Sequence, residues 1–120
     1  MKYAWQRYVA SIAALVCAIS VALSAYASHG LEADVQRRLM LASYFAFAHG
    51  LSLIVLVRVS ITRSNAIACI VMLSGILLFS GSLASAALWQ TSTKLVPYGG
   101  TALILAWLLI AVNFARFKED

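Results

Sequence analysis

SNAIACIVMLSGILLFSGSLASAALWQTST, residues 64–93, runs for 30 residues without an Asp, Glu, Lys or Arg. A helix crosses the roughly 30 Å hydrocarbon layer of a bilayer in about 20 residues, so this stretch is long enough to span a membrane by itself. Three further charge-free stretches lie around it: residues 8–31 (24 residues), 39–57 (19) and 95–115 (21). An unpaired charge at the bilayer centre costs about 2.5–3.5 kcal/mol on insertion scales. Four spanning-length windows without charge are what four lipid-embedded segments require. Inside lipid each backbone N–H and C=O must be paired within its own segment, which leaves helices as the open-ended solution. The long apolar runs also lack the period-two alternation of barrel strands. The sequence therefore predicts an all-α integral membrane protein with helices over residues 8–28, 39–59, 65–89 and 98–117. Connections this short make consecutive helices antiparallel neighbours, giving an up-down-up-down four-helix bundle that forms one transmembrane domain over residues 1–120.

Composition agrees. Of 120 residues, 63% are apolar and 11% charged. Four crossings use about 80 residues, leaving too few for a large extramembrane domain. The net charge of +5 belongs to the lipid-facing rims, where anionic headgroups attract basic residues. No folded domain or basic stripe presents it to nucleic acid. Lys2, Arg7, Arg58, Arg63, Arg116 and Lys118 fall on one side of the predicted bundle, against Arg37, Arg38 and Lys94 on the other. The positive-inside rule then predicts both termini in the cytoplasm. Tyr3, Trp5 and Tyr8 mark the inner edge, Tyr26, Trp89 and Tyr98 the outer, and Phe114 and Phe117 the end of the fourth helix, at the headgroup depth that rings favour. Residues 1–28 have an export-signal outline, with a small-x-small pattern at Ala25-Tyr26-Ala27. Their apolar stretch exceeds the usual 7–15-residue signal core, so the segment is expected to be retained as a helix. Cys17 and Cys69, without CxxC spacing, are expected to be reduced packing residues.

Lipid tails are as apolar as leucine, so inserted helices associate through close packing at small residues. Ser11, Ala14, Ala18, Ala22 and Ala25 recur on one face of the first helix, the expected seam. The third helix carries Gly75, Phe79, Ser82 and Ala86 on one face with Ser74, Gly81 and Ser85 beside it, and is expected to be the most enclosed. Ser80 and Ser82 are expected to bond to carbonyls one turn back or to a neighbouring helix. In the fourth helix Ala102, Ala106 and Asn113 form a comparable stripe, with Asn113 needing a partner or the inner interface.

His49 is the one side chain near mid-span that titrates close to neutral pH. Desolvation favours its neutral form, which needs one donor and one acceptor; Ser52 lies one turn away. A satisfied structural histidine, a ligand or partner contact, and proton transfer are the three readings. No Asp or Glu within the predicted spans supplies a relay. The only other histidine, His29, sits at the outer end of the first helix, too far in depth to share a haem. No cofactor or metal is expected. At the outer side, Gly30 suits a left-handed helix stop, and Pro97-Tyr98-Gly99-Gly100 opens the fourth helix, with proline presetting the first turn and the glycines letting another backbone come close. Capping and turn chemistry is the plainer reading of these pieces; anion binding at the helix start is the functional one.

Ser28-His29-Gly30-Leu31, Phe45 through His49, Leu78-Phe79-Ser80-Gly81-Ser82-Leu83, and Pro97-x-Gly99-Gly100 leading to Trp107, taken in order, resemble the signature of domain-of-unknown-function family 423. This is a family of small four-span membrane proteins that includes bacterial YgdD-like proteins. The family's glycine-rich run before the first histidine is replaced here by Ser24-Ala25-Tyr26-Ala27-Ser28, and its tyrosine after the third-helix string by Ala84. The resemblance implies an inner-membrane protein of bacteria, or a mitochondrial relative, and supplies no established reaction.

No Walker loop, HExxH, GxSxG or paired carboxylate set is present. The leading expectation is a non-enzymatic module in contact with membrane lipid, an accessory subunit of a membrane-protein complex or a small homo-oligomer. The alternative is a small transporter, channel or lipid-binding protein using His49 and the outer glycine turns. An enzyme acting on a lipid ranks last, because no nucleophile and base can be paired. The candidate binding or polar-packing residues are His49, Ser52, His29, Gly30, Ser80, Gly81, Ser82, Pro97, Gly99 and Gly100.

Overall fold

The computed structural model describes residues 3–59 and 62–116; Lys2, Phe117 and Lys118, used above, lie outside them. Four helices are long and apolar enough to cross a membrane: α1 (Ala4–Ala27), α2 (Ala33–Val59), α3 (Arg63–Trp89) and α4 (Val96–Ala115), and the described residues contain no strand. Three helix starts lie before the end of the charged segments that bounded the sequence reading, because local bonds make polar first turns helical. Tyr3 N–H donates to Gln6 Oε1 at 3.1 Å at the head of α1. Asp34 in the first turn of α2 faces the positive helix end and pairs with Arg37 at 2.7 Å and Arg38 at 3.3 Å. The Thr62 hydroxyl caps α3 by accepting from Asn65 N–H at 3.2 Å. Gly30 adopts φ +70°, the left-handed stop expected after α1, and Gln90 at φ 56° ends α3.

Within α3, residues Leu77–Gly81 form a π-turn, in which N–H groups bond five residues back rather than four. The sequence reading gave no sign of it.

Close backbone approach joins α1 to α2, α2 to α3 and α3 to α4, whereas α1 and α4 share no comparable seam. At the α1–α2 crossing a Cβ on Gly50 would stand 2.8 Å from Cys17 Sγ and 3.1 Å from Ala13 O, so only glycine lets the helices meet this closely. Two glutamines fix the ends of that pair: Gln6 Nε2 donates to Val57 O at 2.7 Å, and Gln36 Nε2 to Ala27 O at 3.0 Å. These bonds set the rotation of α1, turning Ala13, Ser20 and Ala27 inward. The small-residue stripe Ser11, Ala14, Ala18, Ala22 and Ala25 is consequently exposed on the outside of the bundle, which corrects the expected seam. The most enclosed helix is α2 rather than α3, since α2 packs against α1 on one side and α3 on the other. Cys17 and Cys69 are free.

The α3–α4 pair is closed by Gly75, where a Cβ would meet Leu103 Cδ2 at 2.7 Å, and by a polar clamp near the terminal end. Asn113 accepts from Ser64 Oγ at 2.7 Å through Oδ1, and donates through Nδ2 to Asn65 Oδ1 at 2.5 Å. Asn113→Leu would leave the half-buried hydroxyl and the Asn65 amide without these partners. It should lower stability by about 1–3 kcal/mol, read as the midpoint of reversible unfolding in mixed micelles; a shift no larger than that of Val112→Leu on the exposed face would count against the clamp.

Candidate functional site

The residues that carry the sequence motifs meet at a three-helix junction. His49 on α2 is 8% exposed. Its Nδ1 lies 2.7 Å from Phe45 O and its Nε2 3.0 Å from Trp107 Nε1. A carbonyl only accepts and an indole N–H only donates, so the geometry assigns one state: neutral imidazole, with the proton on Nδ1 and the Nε2 lone pair facing the indole N–H. Both nitrogens are satisfied. Ser52, expected as a partner, instead donates to Ala48 O at 2.8 Å.

Rings extend the junction to α3. Phe45 stacks on His49 with centroids 5.8 Å apart and 10° between planes, and meets Phe79 of the π-turn at 4.7 Å. Trp107 approaches His49 edge-on at 5.9 Å. Gly99 completes the contact from α4. A Cβ there would run into the backbone nitrogen of Phe79 and stand 2.7 Å from the carbonyl carbon of Leu78, so the start of α4 lies directly on the π-turn backbone. A Cβ on Gly100 would find only the Phe79 ring, at 3.7–3.8 Å.

The structure therefore brings His49, Gly99 and Gly100 together through Phe45, Phe79 and Trp107, and separates the rest of the candidate set. His29 and Gly30 are exposed in the α1–α2 connection. Pro97 presets the first turn of α4. Gly99 is buried against backbone and its N–H donates to Leu95 O at 3.0 Å, which fits the capping and turn reading of this segment. Gly81 is exposed with nothing within 4 Å of an added Cβ. Ser80 departs from expectation: it is 6% exposed and its hydroxyl has no partner. The wider π-turn moves the carbonyl one turn back out of the register that lets a helical serine bond to it. Ser82 is half-buried.

Trp107 as the partner of His49 did not emerge from the residues alone. Its signal was available: a tryptophan in the middle of a span, away from the headgroup depth that normally satisfies its N–H. Gln6 and Gln36 stand outside the predicted helices near their ends, where water usually serves such side chains, so nothing local marks them as interhelical donors.

Comparison with known proteins places the chain in a family. The family described as Protein of unknown function (DUF423) matches residues 23–100. The chain is 32% identical over 114 residues to the UPF0382 membrane protein SH2409 of Staphylococcus haemolyticus (strain JCSC1435), covering 88% of this chain and 93% of the relative. It is 29% identical over 116 residues to the UPF0382 membrane protein YwdK of Bacillus subtilis (strain 168), covering 88% and 94%. No solved structure matches. The matched segment holds the Phe45–His49 string, the π-turn and the Gly99–Gly100 pair, and the chain belongs to the DUF423 family of membrane proteins, whose function is unknown.

Proposed function

We propose that the chain is a non-enzymatic helical module of the bacterial cytoplasmic membrane, with both termini cytoplasmic, that serves as an accessory subunit of a membrane complex or as a small oligomer. The observation that carries this reading is the bonding of His49. Acid–base work or ion relay needs a ring nitrogen free to exchange its proton, and here both are engaged in tying α2 to Phe45 O and to α4. That bonding also weighs against the transporter or channel reading built on the same residue. Packing surfaces are what remain, and α1 offers one. Ser11, Ala14, Ala18, Ala22 and Ala25 put a small side chain outward on successive turns. Lipid gains nothing from such a face, while a neighbouring helix gains close backbone approach. The orientation rests on the bias of Lys and Arg toward the terminal end, and the bacterial membrane placement is supported by the named relatives.

The test is purification of the full chain from its native membrane in mild detergent, with cross-linking and mass spectrometry of what is retained. A reproducible partner or a defined oligomer is expected. Ala18→Leu, which adds bulk to the outward face only, should cut recovery of the complex by roughly fivefold or more while leaving the unfolding midpoint in place. Repeated isolation of a lone monomer, or a complex indifferent to Ala18→Leu and to Ala14→Leu, would overturn the reading.

A further inference from the structure

A lateral groove of about 350 Å³ opens between α2 and α4 in the half of the bundle that leads to the termini, with Val55 and Val59 on one wall and Ile110 and Phe114 on the other. Two of its lining side chains carry polar atoms, and the donor hydrogen of each is committed: Ser52 Oγ donates to Ala48 O, and Trp107 Nε1 to His49. The lining therefore offers no free donor hydrogen and is otherwise hydrocarbon, so an acyl chain suits it, whereas a charge placed there would lie unpaired. The α2 wall runs from residue 51 to residue 59, about 12 Å at 1.5 Å per residue, close to one leaflet's share of the roughly 30 Å core.

Charge identifies the occupant. The groove ends at Val59 and Phe114; outside its lining but next to that end in sequence stand Arg58, adjacent to Val59, and Arg116, two residues past Phe114, both exposed and long enough to reach round to a headgroup there. Neither pairs with a carboxylate among the described residues, whereas at the opposite end Asp34 holds both Arg37 and Arg38. The C-terminal ends of α2 and α4 attract these guanidinium groups, but each end carries only about half an elementary charge. A second copy, inserted with the same orientation, would bring its own Arg58 and Arg116 to the same depth, like charge against like. A lipid with an anionic head brings the complement.

We propose that this groove is a binding site for an anionic phospholipid, with one acyl chain along α2 and α4 beside Trp107 and the headgroup phosphate at Arg58 and Arg116. The site goes beyond the packing role proposed above and stands independently of any partner on α1.

The experiment uses the full chain in lipid nanodiscs with Trp5→Phe and Trp89→Phe, which leaves Trp107 as the single tryptophan. Phosphatidylglycerol with brominated acyl chains is compared with phosphatidylcholine carrying the same chains. Brominated phosphatidylglycerol should quench Trp107 at a mole fraction lower by about fivefold for each arginine engaged. Arg58→Gln with Arg116→Gln should bring the two lipids level, Arg58→Lys with Arg116→Lys should keep the preference, and Arg37→Gln with Arg38→Gln should leave it intact. Equal quenching by both lipids in the protein with all arginines present would overturn the proposal. So would an equal loss from the Arg37 and Arg38 pair, or a cross-linked dimer in which neither lipid quenches Trp107.

Discussion

Gly99→Ala should destabilise the protein by about 1–3 kcal/mol, toward the upper end of what overpacking a close contact costs, while the adjacent Gly100→Ala should stabilise it by about 0.5–1 kcal/mol. The opposite signs follow from where each new methyl would go. At position 99 it collides with the backbone of Phe79 and Leu78, atoms held by the helix and unable to rotate aside, so α4 must lift off α3. At position 100 it gains an ordinary contact with the Phe79 ring, and alanine restricts the unfolded chain more than glycine does. Unfolding of both variants in mixed micelles, followed by circular dichroism, provides the comparison. Shifts of the same sign and size would mean that α4 does not rest on the π-turn as described.

His49→Ala should cost about 2–5 kcal/mol, the usual range for emptying a buried large side chain, and the loss should include the stranding of the indole N–H on Trp107. Trp107→Phe keeps most of the ring and removes the donor, so it should cost about 1–2 kcal/mol. The decisive quantity is the double variant. If the two side chains act through the 3.0 Å bond between them, the combined loss falls short of the sum of the single losses by roughly 0.5–2 kcal/mol. Strict additivity would show that each residue merely fills space. His49→Ala should also change the near-ultraviolet signal of Trp107 before any loss of helix content, because the indole sits in the junction that this substitution loosens.

The helices were legible because charge exclusion at spanning length has one structural solution in lipid, and residues 64–93 show it without ambiguity. Their rotations were not equally legible. In water an apolar stripe points inward; in lipid both faces of a helix are apolar, so the small residues of α1 did not say which way they turn. What fixed the rotation were two glutamines whose partners are carbonyls 51 and nine residues away. A similar gap separates His49 from Trp107: the histidine was conspicuous by its depth, but a bond across 58 residues is invisible to local spacing. Gly99 and Gly100 were readable as a place of backbone approach, though the backbone that approaches is the π-turn, which has no compositional mark.

The order in which these ties fall along the chain also sets a timetable for synthesis. Gln36 can reach Ala27 as soon as the first connection emerges, and Gln6 can reach Val57 once α2 has been threaded, so the first hairpin can close before the long central stretch is complete. Domains generally gain structure from the N-terminal side during translation. Trp107 lies in α4, 58 residues after His49, so the bond to His49 Nε2 can form only after α4 has been made. Of these ties, the one between α2 and α4 is thus the latest to close.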